Sequence, residues 1–192
     1  MFNSPASFDM QNGSWSLSML GTDYLLGAAT GAYVAPTGAA LPMGDDSEIP
    51  VNLPFSLAYP GGTTSTIWVC SNGFASPNSN GADYTPNVAG FVGGTARWAP
   101  AWHDFDPTSG GQVRVDSSPT EVRVTWQNVA NFAAPGTSTF QMRFQPSGRV
   151  DVYYQSMSTA GNQYLVGWTS GTTADPGGSD TSASIGAGVQ LC

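Results

Sequence analysis

Apolar and polar residues alternate with a period of two along much of the second half of the chain. Residues 112–116 and 121–126 each place apolar side chains at every second position, and a Ser-Ser-Pro-Thr stretch separates them. Successive side chains of a strand point to opposite faces, so this pattern predicts a hairpin with one buried face. Trp126 falls on the buried, valine-rich face, whereas Arg114 and Arg123 fall on the other.

A second hairpin is predicted at residues 140–145 and 149–154, where alternating segments flank a Pro-Ser-Gly turn. Tyr153 falls opposite Val152 and Tyr154, which predicts an exposed side chain. The segment 27–40 is rich in small residues and predicts a loop or a loosely held edge. Further strands are predicted at 15–20, 24–26, 66–70, 97–105, 164–168 and 183–191.

Many short strands with frequent turn residues and almost no helical periodicity predict an all-β fold, an antiparallel β-sandwich or jelly-roll-like single domain. The 40% of hydrophobic residues and the six tryptophans suffice for a core. Residues 1–40 are predicted to add N-terminal strands and a loop to the same domain, with residues 41–192 as its core.

Charge is sparse, at 9% of residues against a typical value of about 25%, and the net charge is -8. This composition excludes nucleic acid, which needs clustered cations, and anionic lipid surfaces. No apolar run approaches the ~20 residues of a membrane span. A polar, weakly charged surface is usual for secreted proteins, so we expect a secreted, extracellular or cell-surface location, although no leader sequence is visible.

The middle of the chain contains a series of short motifs in a fixed order. They are 41–47 (LPMGDDS), 51–57 (VNLPFSL), 67–74 (IWVCSNGF), 83–86 (DYTP), 97–107 (RWAPAWHDFDP) and 165–168 (LVGW).

Over about residues 41–180, this series resembles the nidogen-type extracellular domain and a related family of secreted bacterial β-domains. The run 97–107 is similar to the family pattern I-A-P-x-W-D-D-L-D-P. The chain departs from that pattern at His103, where Asp is usual, and at Trp98, where an aliphatic residue is usual. The resemblance implies a non-enzymatic module of secreted or surface proteins and specifies no ligand.

Asp104 and Asp106 are two residues apart in a predicted strand, so their carboxylates are expected on one face. Hard oxygen ligands of this kind suit Ca²⁺, the one cofactor that we consider. The alternative is that both residues cap a turn at Pro107 by accepting backbone N–H groups. Four further carboxylates would join a calcium site only if their loops converge, namely Asp45, Asp46, Asp175 and Asp180.

A secreted hydrolase that uses Asp104, Asp106 and His103 is the second alternative for function. Glycosidases need two carboxyl groups ~5–10 Å apart, and nucleophilic serines are framed by a Gly-x-Ser-x-Gly turn that this chain lacks. His103 is the only histidine, and beside Trp102 it is expected to be a hydrogen-bonded structural residue. No catalytic residue is therefore predicted.

Aromatic side chains offer another route to function, since Trp and Tyr stack on sugar rings and anchor interfaces. Most tryptophans are expected in the core. Trp98 and Trp102 are expected to share a face with Asp104, and with Tyr153 they are the candidate ligand-binding residues. The two cysteines, Cys70 and Cys192, predict a disulfide or a buried free Cys70.

The leading hypothesis is a non-catalytic extracellular or cell-surface module for adhesion, assembly or matrix interaction. Its expected partners are another protein, a second copy of the chain or an extracellular polysaccharide. A carbohydrate-binding module is the first alternative, and it requires a flat exposed row of Trp or Tyr side chains.

Overall fold

The computed structural model describes residue 2 and residues 4–171 of the chain. This part forms antiparallel sheets packed as a β-sandwich in a single domain, which confirms the predicted fold class. A short 3₁₀ helix at Pro5–Ser7 precedes the first strand. The other elements are β1 (Ser14–Leu20), β2 (Asp23–Gly27), β3 (Ala39–Ala40), β4 (Glu48–Tyr59), β5 (Gly62–Cys70), β6 (Phe74–Ser76), α1 (Val88–Gly93), β7 (Thr95–Trp102), β8 (Phe105–Asp106), β9 (Gln112–Ser118), β10 (Glu121–Asn131), β11 (Thr137–Phe144), β12 (Val150–Ser156) and β13 (Leu165–Gly171).

The large sheet has the strand order β2-β1-β12-β11-β10-β9-β3, and β8 also pairs with β10. The small sheet has the order β13-β7-β6-β5-β4. Both predicted hairpins are present in the large sheet. Val124 pairs with Val115 in β9–β10, and Met142 pairs with Val152 in β11–β12, so the alternating side chains share a face as the pattern required.

The main core lies between the two sheets, where the apolar faces of the hairpins meet β5 and β7. Trp126 is fully buried there, as predicted, and stacks on Phe140 with ring centroids 4.9 Å apart. Its indole N–H donates to the carbonyl oxygens of Cys70 and Ser71 at 3.1 and 3.2 Å. One side chain therefore fills the core and satisfies backbone groups of the opposite sheet.

A second apolar cluster covers the outer face of the small sheet. Phe74, Trp102 and Leu165 form it together with Phe91 of α1. Asn87 caps the start of the helix, and its side chain accepts a hydrogen bond from the N–H of Gly90 at 2.6 Å. The segment between β6 and β7 therefore covers the outer face of the small sheet.

The outer face of the large sheet is crossed by residues 28–38, which we call the strap. The strap joins β2 at one edge of the sheet to β3 at the other. Its backbone is bound by side chains of the sheet: Arg143 donates to Thr30 O at 2.7 Å, and Gln141 donates to Val34 O at 2.8 Å. Residues 28–38 contain no helix or strand, which confirms the predicted loop. The alternative of a loosely held edge is wrong, because these polar side chains need backbone partners and the strap supplies them.

Two further strand predictions need correction. The predicted strand 97–105 is divided, since β7 ends at Trp102 and β8 begins at Phe105. β4 was not among the predicted strands, because Pro50 and Pro54 interrupt its sequence. The strand forms nevertheless, because it lies at the edge of the small sheet, where proline is tolerated. The predicted strand 183–191 lies outside the described residues. In the described part of the chain, the helices are too short to cross a membrane.

Candidate functional site

The turn between β5 and β6 carries the Ser-Asn-Gly step at residues 71–73, and it organises the candidate site. Gly73 has a φ of 78°, and a Cβ atom there would lie 2.1 Å from the carbonyl oxygen of Ala101. Only glycine allows this approach. The turn is consequently packed directly against the end of β7, where His103 and Asp104 follow.

Asn72 connects three segments at this place. Its side chain is fully buried, and its Nδ2 donates to Asp46 Oδ1 at 2.8 Å and to Ala82 O at 3.2 Å. Its Oδ1 accepts the backbone N–H of Phe105 at 2.9 Å. Asn72 was not among the predicted site residues, although its position before a glycine in a motif of the resemblance was the signal that marked it.

Asp45, Asp46 and Asp104 form what we call the acidic cluster. One carboxylate oxygen from each lies within 4.8 Å of the others. Partial burial and the charges of Asp46, Asp45 and Asp106 raise the pKa of Asp104 to about 6. Burial and the charges of Asp106 and Asp46 also raise the pKa of Asp45. Three oxygens this close can serve as ligands of a divalent cation once the site is deprotonated.

Asp106 belongs to a different arrangement from the acidic cluster. Its Oδ1 accepts the backbone N–H of Thr108 at 2.8 Å and the hydroxyl of Thr108 at 2.6 Å, and its Oδ2 accepts the hydroxyl of Ser109. Burial alone would raise its pKa, but these hydrogen bonds outweigh burial and lower the pKa. The turn-capping alternative is confirmed for Asp106.

The expected pairing of Asp104 with Asp106 fails because the strand breaks before Phe105. Asp104 lies between β7 and β8, where its backbone N–H is held by Asn162 Oδ1 at 3.1 Å. Calcium binding stays a prediction, now with Asp45 and Asp46 beside Asp104. Asp175 and Asp180 lie outside the described residues.

His103 is fully buried and structural in its contacts. Its Nδ1 lies 3.3 Å from the carbonyl oxygen of Gln163, and its Nε2 lies 3.1 Å from Oδ1 of Asn131. The ring stacks on Tyr164 with centroids 4.3 Å apart. Burial lowers the pKa of His103 to about 4 although these hydrogen bonds oppose it, so the imidazole is neutral at physiological pH.

Trp98 and Trp102 do not share a face, contrary to prediction. The pairing of β7 with β13 shifts between Leu165 and Gly167, so β7 carries one extra residue before Trp102. Such a β-bulge turns the following side chains to the other face. Trp98 therefore faces the main core and Trp102 the outer cluster, and both are fully buried.

Tyr153 is also buried, with 2% of its surface exposed, although its face of the sheet was predicted correctly. The strap covers that face, and the hydroxyl of Tyr153 donates to Thr30 O at 2.8 Å. Its predicted exposure is wrong, because sheet periodicity decides the face but not what lies over it. The three candidate ligand-binding aromatic residues therefore form no exposed row in the described structure.

Cys70 is a free cysteine in the described part of the chain, and it is fully buried on the outer face of the small sheet. Burial raises the pKa of its thiol to about 12, so the thiol is protonated and unreactive. A disulfide with Cys192, which lies outside the described residues, stays a prediction.

Comparison with known proteins gives one family. The model of the family described as "NIDO related" matches residues 23–187. This match confirms the resemblance to the nidogen-type domain and extends it towards the N-terminus, into β2 and the strap. Searches of curated proteins and of solved structures found no significant match.

Proposed function

We propose, because the chain belongs to the NIDO-related family, that it is a non-catalytic module of an extracellular or cell-surface protein. Its proposed role is adhesion, assembly or matrix interaction. The family match over residues 23–187 is the observation that carries this proposal. The sparse charge of the chain, 9% of residues, supports an extracellular setting.

The contacts of the acidic and basic residues support the non-catalytic part of the proposal. A general base must lie within hydrogen-bond reach of the group that it deprotonates. His103 faces an amide oxygen and a backbone carbonyl, and its low pKa keeps it from cycling a proton near neutral pH. Asp106 is occupied by the turn that it caps.

A carbohydrate-binding role is the second candidate. Burial of Trp98, Trp102 and Tyr153 removes the stacking platform that the sequence suggested for it. A polar cleft on the large sheet favours the role in another form, through hydrogen bonds to sugar hydroxyls, and it is lined by Thr37, Gly38, residues 115–118, Glu121 and Arg123.

The proposal is tested with the purified chain coupled to beads and exposed to panels of matrix proteins and polysaccharides. Light scattering over a range of concentrations measures self-association in parallel. We expect specific retention of a partner or a concentration-dependent mass. A strictly monomeric chain that retains nothing would contradict the proposal, and so would turnover of a glycan that Asp104→Asn abolishes.

A further inference from the structure

Asn-Gly steps are the places in a polypeptide where an asparagine side chain reacts most readily with its own main chain. The nitrogen of the following residue attacks the side-chain carbonyl, and a glycine has no Cβ atom to obstruct that approach. Three such steps occur in the chain, at residues 12–13, 72–73 and 80–81. Because the side chain must rotate towards that nitrogen, the folded structure decides which of the three steps can react.

The step at Asn72 and Gly73 is held in place on several sides. Asn72 is fully buried, and its side chain makes hydrogen bonds to Asp46, Ala82 and Phe105. Rotation of this side chain would break these bonds and leave buried groups unpaired, which is costly. The structure therefore protects this step as long as the chain stays folded.

The step at Asn80 and Gly81 is also fixed. Asn80 Nδ2 donates to Ser76 Oγ at 2.9 Å, and its Oδ1 accepts a hydrogen bond from Arg97 Nη2 at 2.8 Å. A hydrogen bond from a guanidinium is charge-assisted, and such bonds are roughly twice as strong as neutral ones. The backbone N–H of Asn80 is held as well, by Glu48 Oε2 at 3.0 Å. This step is consequently protected although it lies nearer the surface than Asn72.

The step at Asn12 and Gly13 differs from both. Asn12 is exposed in the turn that precedes β1. The described residues form no hydrogen bond with its side chain. The contact that must break is the hydrogen bond from the N–H of Gly13 to Met10 O, at 2.8 Å. Exposed turns open locally at a much lower cost than the core of a fold, so this step can reach the reactive geometry.

We propose that Asn12 is a site of spontaneous deamidation in the folded chain and that the other two Asn-Gly steps are protected. The main-chain nitrogen of Gly13 gives its proton to hydroxide and forms a bond to Cγ of Asn12. The Cγ–Nδ2 bond then breaks, and ammonia leaves after taking up a proton from water. Water opens the resulting cyclic imide, and attack at Cγ yields aspartate whereas attack at the main-chain carbonyl yields isoaspartate. The reaction needs no enzyme or partner, so the inference goes beyond the proposed function and does not depend on it.

Deamidation at Asn12 would alter the start of β1. The product adds a negative charge to a chain whose net charge is already -8. Isoaspartate also lengthens the main chain by a carbon atom directly before Gly13, whose carbonyl oxygen accepts the N–H of Tyr154 at 3.0 Å. Ser14, the next residue, pairs with Tyr153 of β12. We therefore expect faster hydrogen exchange in the first residues of β1 once isoaspartate has formed.

Incubation of the purified chain at mildly alkaline pH, followed by peptide mass spectrometry at successive times, tests the inference. Replacement of an NH₂ group by OH reports deamidation at each asparagine, and electron-transfer fragmentation distinguishes isoaspartate from aspartate. We expect the product to form at Asn12 about tenfold faster, or more, than at Asn72 and Asn80, because at least two hydrogen bonds hold each of those side chains. In urea the three steps should react at similar rates, since the fold no longer distinguishes them.

Asn78 is the internal control, because it is exposed but serine rather than glycine follows it. It should keep its amide during the time in which Asn12 reacts. Asn12→Gln lengthens the side chain and disfavours the cyclic imide, so this variant should lack the early acidic form that ion-exchange chromatography separates. Thermal melting should show that the variant is folded.

Two results would overturn the inference. One is an Asn12 that keeps its amide in the folded chain while all three steps react in urea. The other is a folded chain in which Asn72 or Asn80 reacts as fast as Asn12, because the structure would then not control the reaction.

Discussion

The acidic cluster brings three carboxylates together without an arginine among them. Asn72 holds Asp46 from one side and the backbone N–H of Phe105 from the other, which draws Asp104 towards Asp45 and Asp46. Ion pairs in the described part of the chain instead join arginines to Glu121 and Asp151 on the large sheet. The unneutralised cluster is therefore a local electrostatic cost, and its effect on stability is measurable.

Asp104→Asn is expected to raise the melting temperature near pH 7.5 in EDTA, because it removes one of three like charges. Solvent screening keeps the gain below about 1 kcal/mol. The pKa of Asp104 is raised in the folded chain, so the unchanged protein gains stability as pH falls through about 6 towards 4, and the advantage of the variant disappears there. Melting curves at several pH values check this.

The low pKa of His103 does not obscure that comparison. Folding keeps this imidazole neutral down to about pH 4, so the chain loses stability as pH falls below the unfolded value near 6.5. The loss is common to the variant and the unchanged chain, and it cancels in their difference. A destabilisation by Asp104→Asn that is equal at every pH would contradict the electrostatic account.

Calcium binding at the acidic cluster predicts a higher melting temperature in millimolar Ca²⁺ than in EDTA. A cation held a hundredfold above its dissociation constant stabilises the fold by about 2.7 kcal/mol. Asp45→Asn should abolish the shift, and Asp23→Asn on β2 should retain it. Identical melting curves with Ca²⁺ and with EDTA would remove calcium as a ligand.

Asn72→Ala is expected to destabilise the fold by about 2–4 kcal/mol. It removes hydrogen bonds to Asp46, Ala82 and Phe105 and leaves buried groups unpaired. Equilibrium unfolding in urea measures the change, and Asn78→Ala at an exposed position serves as the control. A loss no larger than that of the control would show that Asn72 does not hold the site together.

At the scale of elements, the strap accounts for the polar outer face of the large sheet. Gln141 and Asp151 are fully buried there, and Arg143 and Arg149 surround Asp151 with hydrogen bonds. Side chains of the strap are mostly exposed, so backbone hydrogen bonds rather than apolar burial hold it. Its stability should depend on how closely its backbone can approach the sheet.

Gly38→Ala tests that dependence. The added Cβ would overlap the carbonyl oxygen of Val115, a backbone atom that cannot turn away. We expect a loss of about 1–3 kcal/mol in the free energy of unfolding, as in overpacked sites. Gly44→Ala is the control, since nothing lies within 4 Å of its Cβ position. Faster hydrogen exchange in the strap alone would locate the effect, and unchanged stability would contradict it.

At the scale of the whole molecule, an open sandwich must protect its sheet edges. β4 is a long edge strand of the small sheet, and Pro50 and Pro54 remove two N–H groups from it. Proline and irregular pairing are common means of preventing edge-to-edge association. The pairing of β4 with β5 is indeed interrupted between Asn52 and Leu57.

Replacing Pro50 and Pro54 together by valine should therefore promote self-association. The double variant regains two donors and a more regular strand, which an edge of a second copy can pair with. Light scattering at increasing concentration checks the mass, with Pro119→Val at the exposed hairpin tip as the control. A double variant as monomeric as that control would show that these prolines do not guard the edge.

The sequence predicted the hairpins closely because their evidence is local. Val113, Val124 and Met142 alternate with polar neighbours, and short turns set the pairing of each hairpin. The same reasoning failed for Trp102, because a single extra residue in β7 turned it to the other face. It also failed for Tyr153. Its side chain lies on the predicted face of the sheet, but the strap, which is distant in sequence, covers that face.

The order of apolar and polar residues was thus enough by itself to determine the all-β class, the buried face of each hairpin and the burial of Trp126, since each depends on neighbours along the chain. Only the tertiary structure decided which carboxylates converge and how the strap crosses the sheet. These features depend on contacts between residues far apart in sequence, such as Asp46 with Asn72 and Thr37 with Asp116. The alternation of apolar and polar residues along a strand carries no information about such contacts.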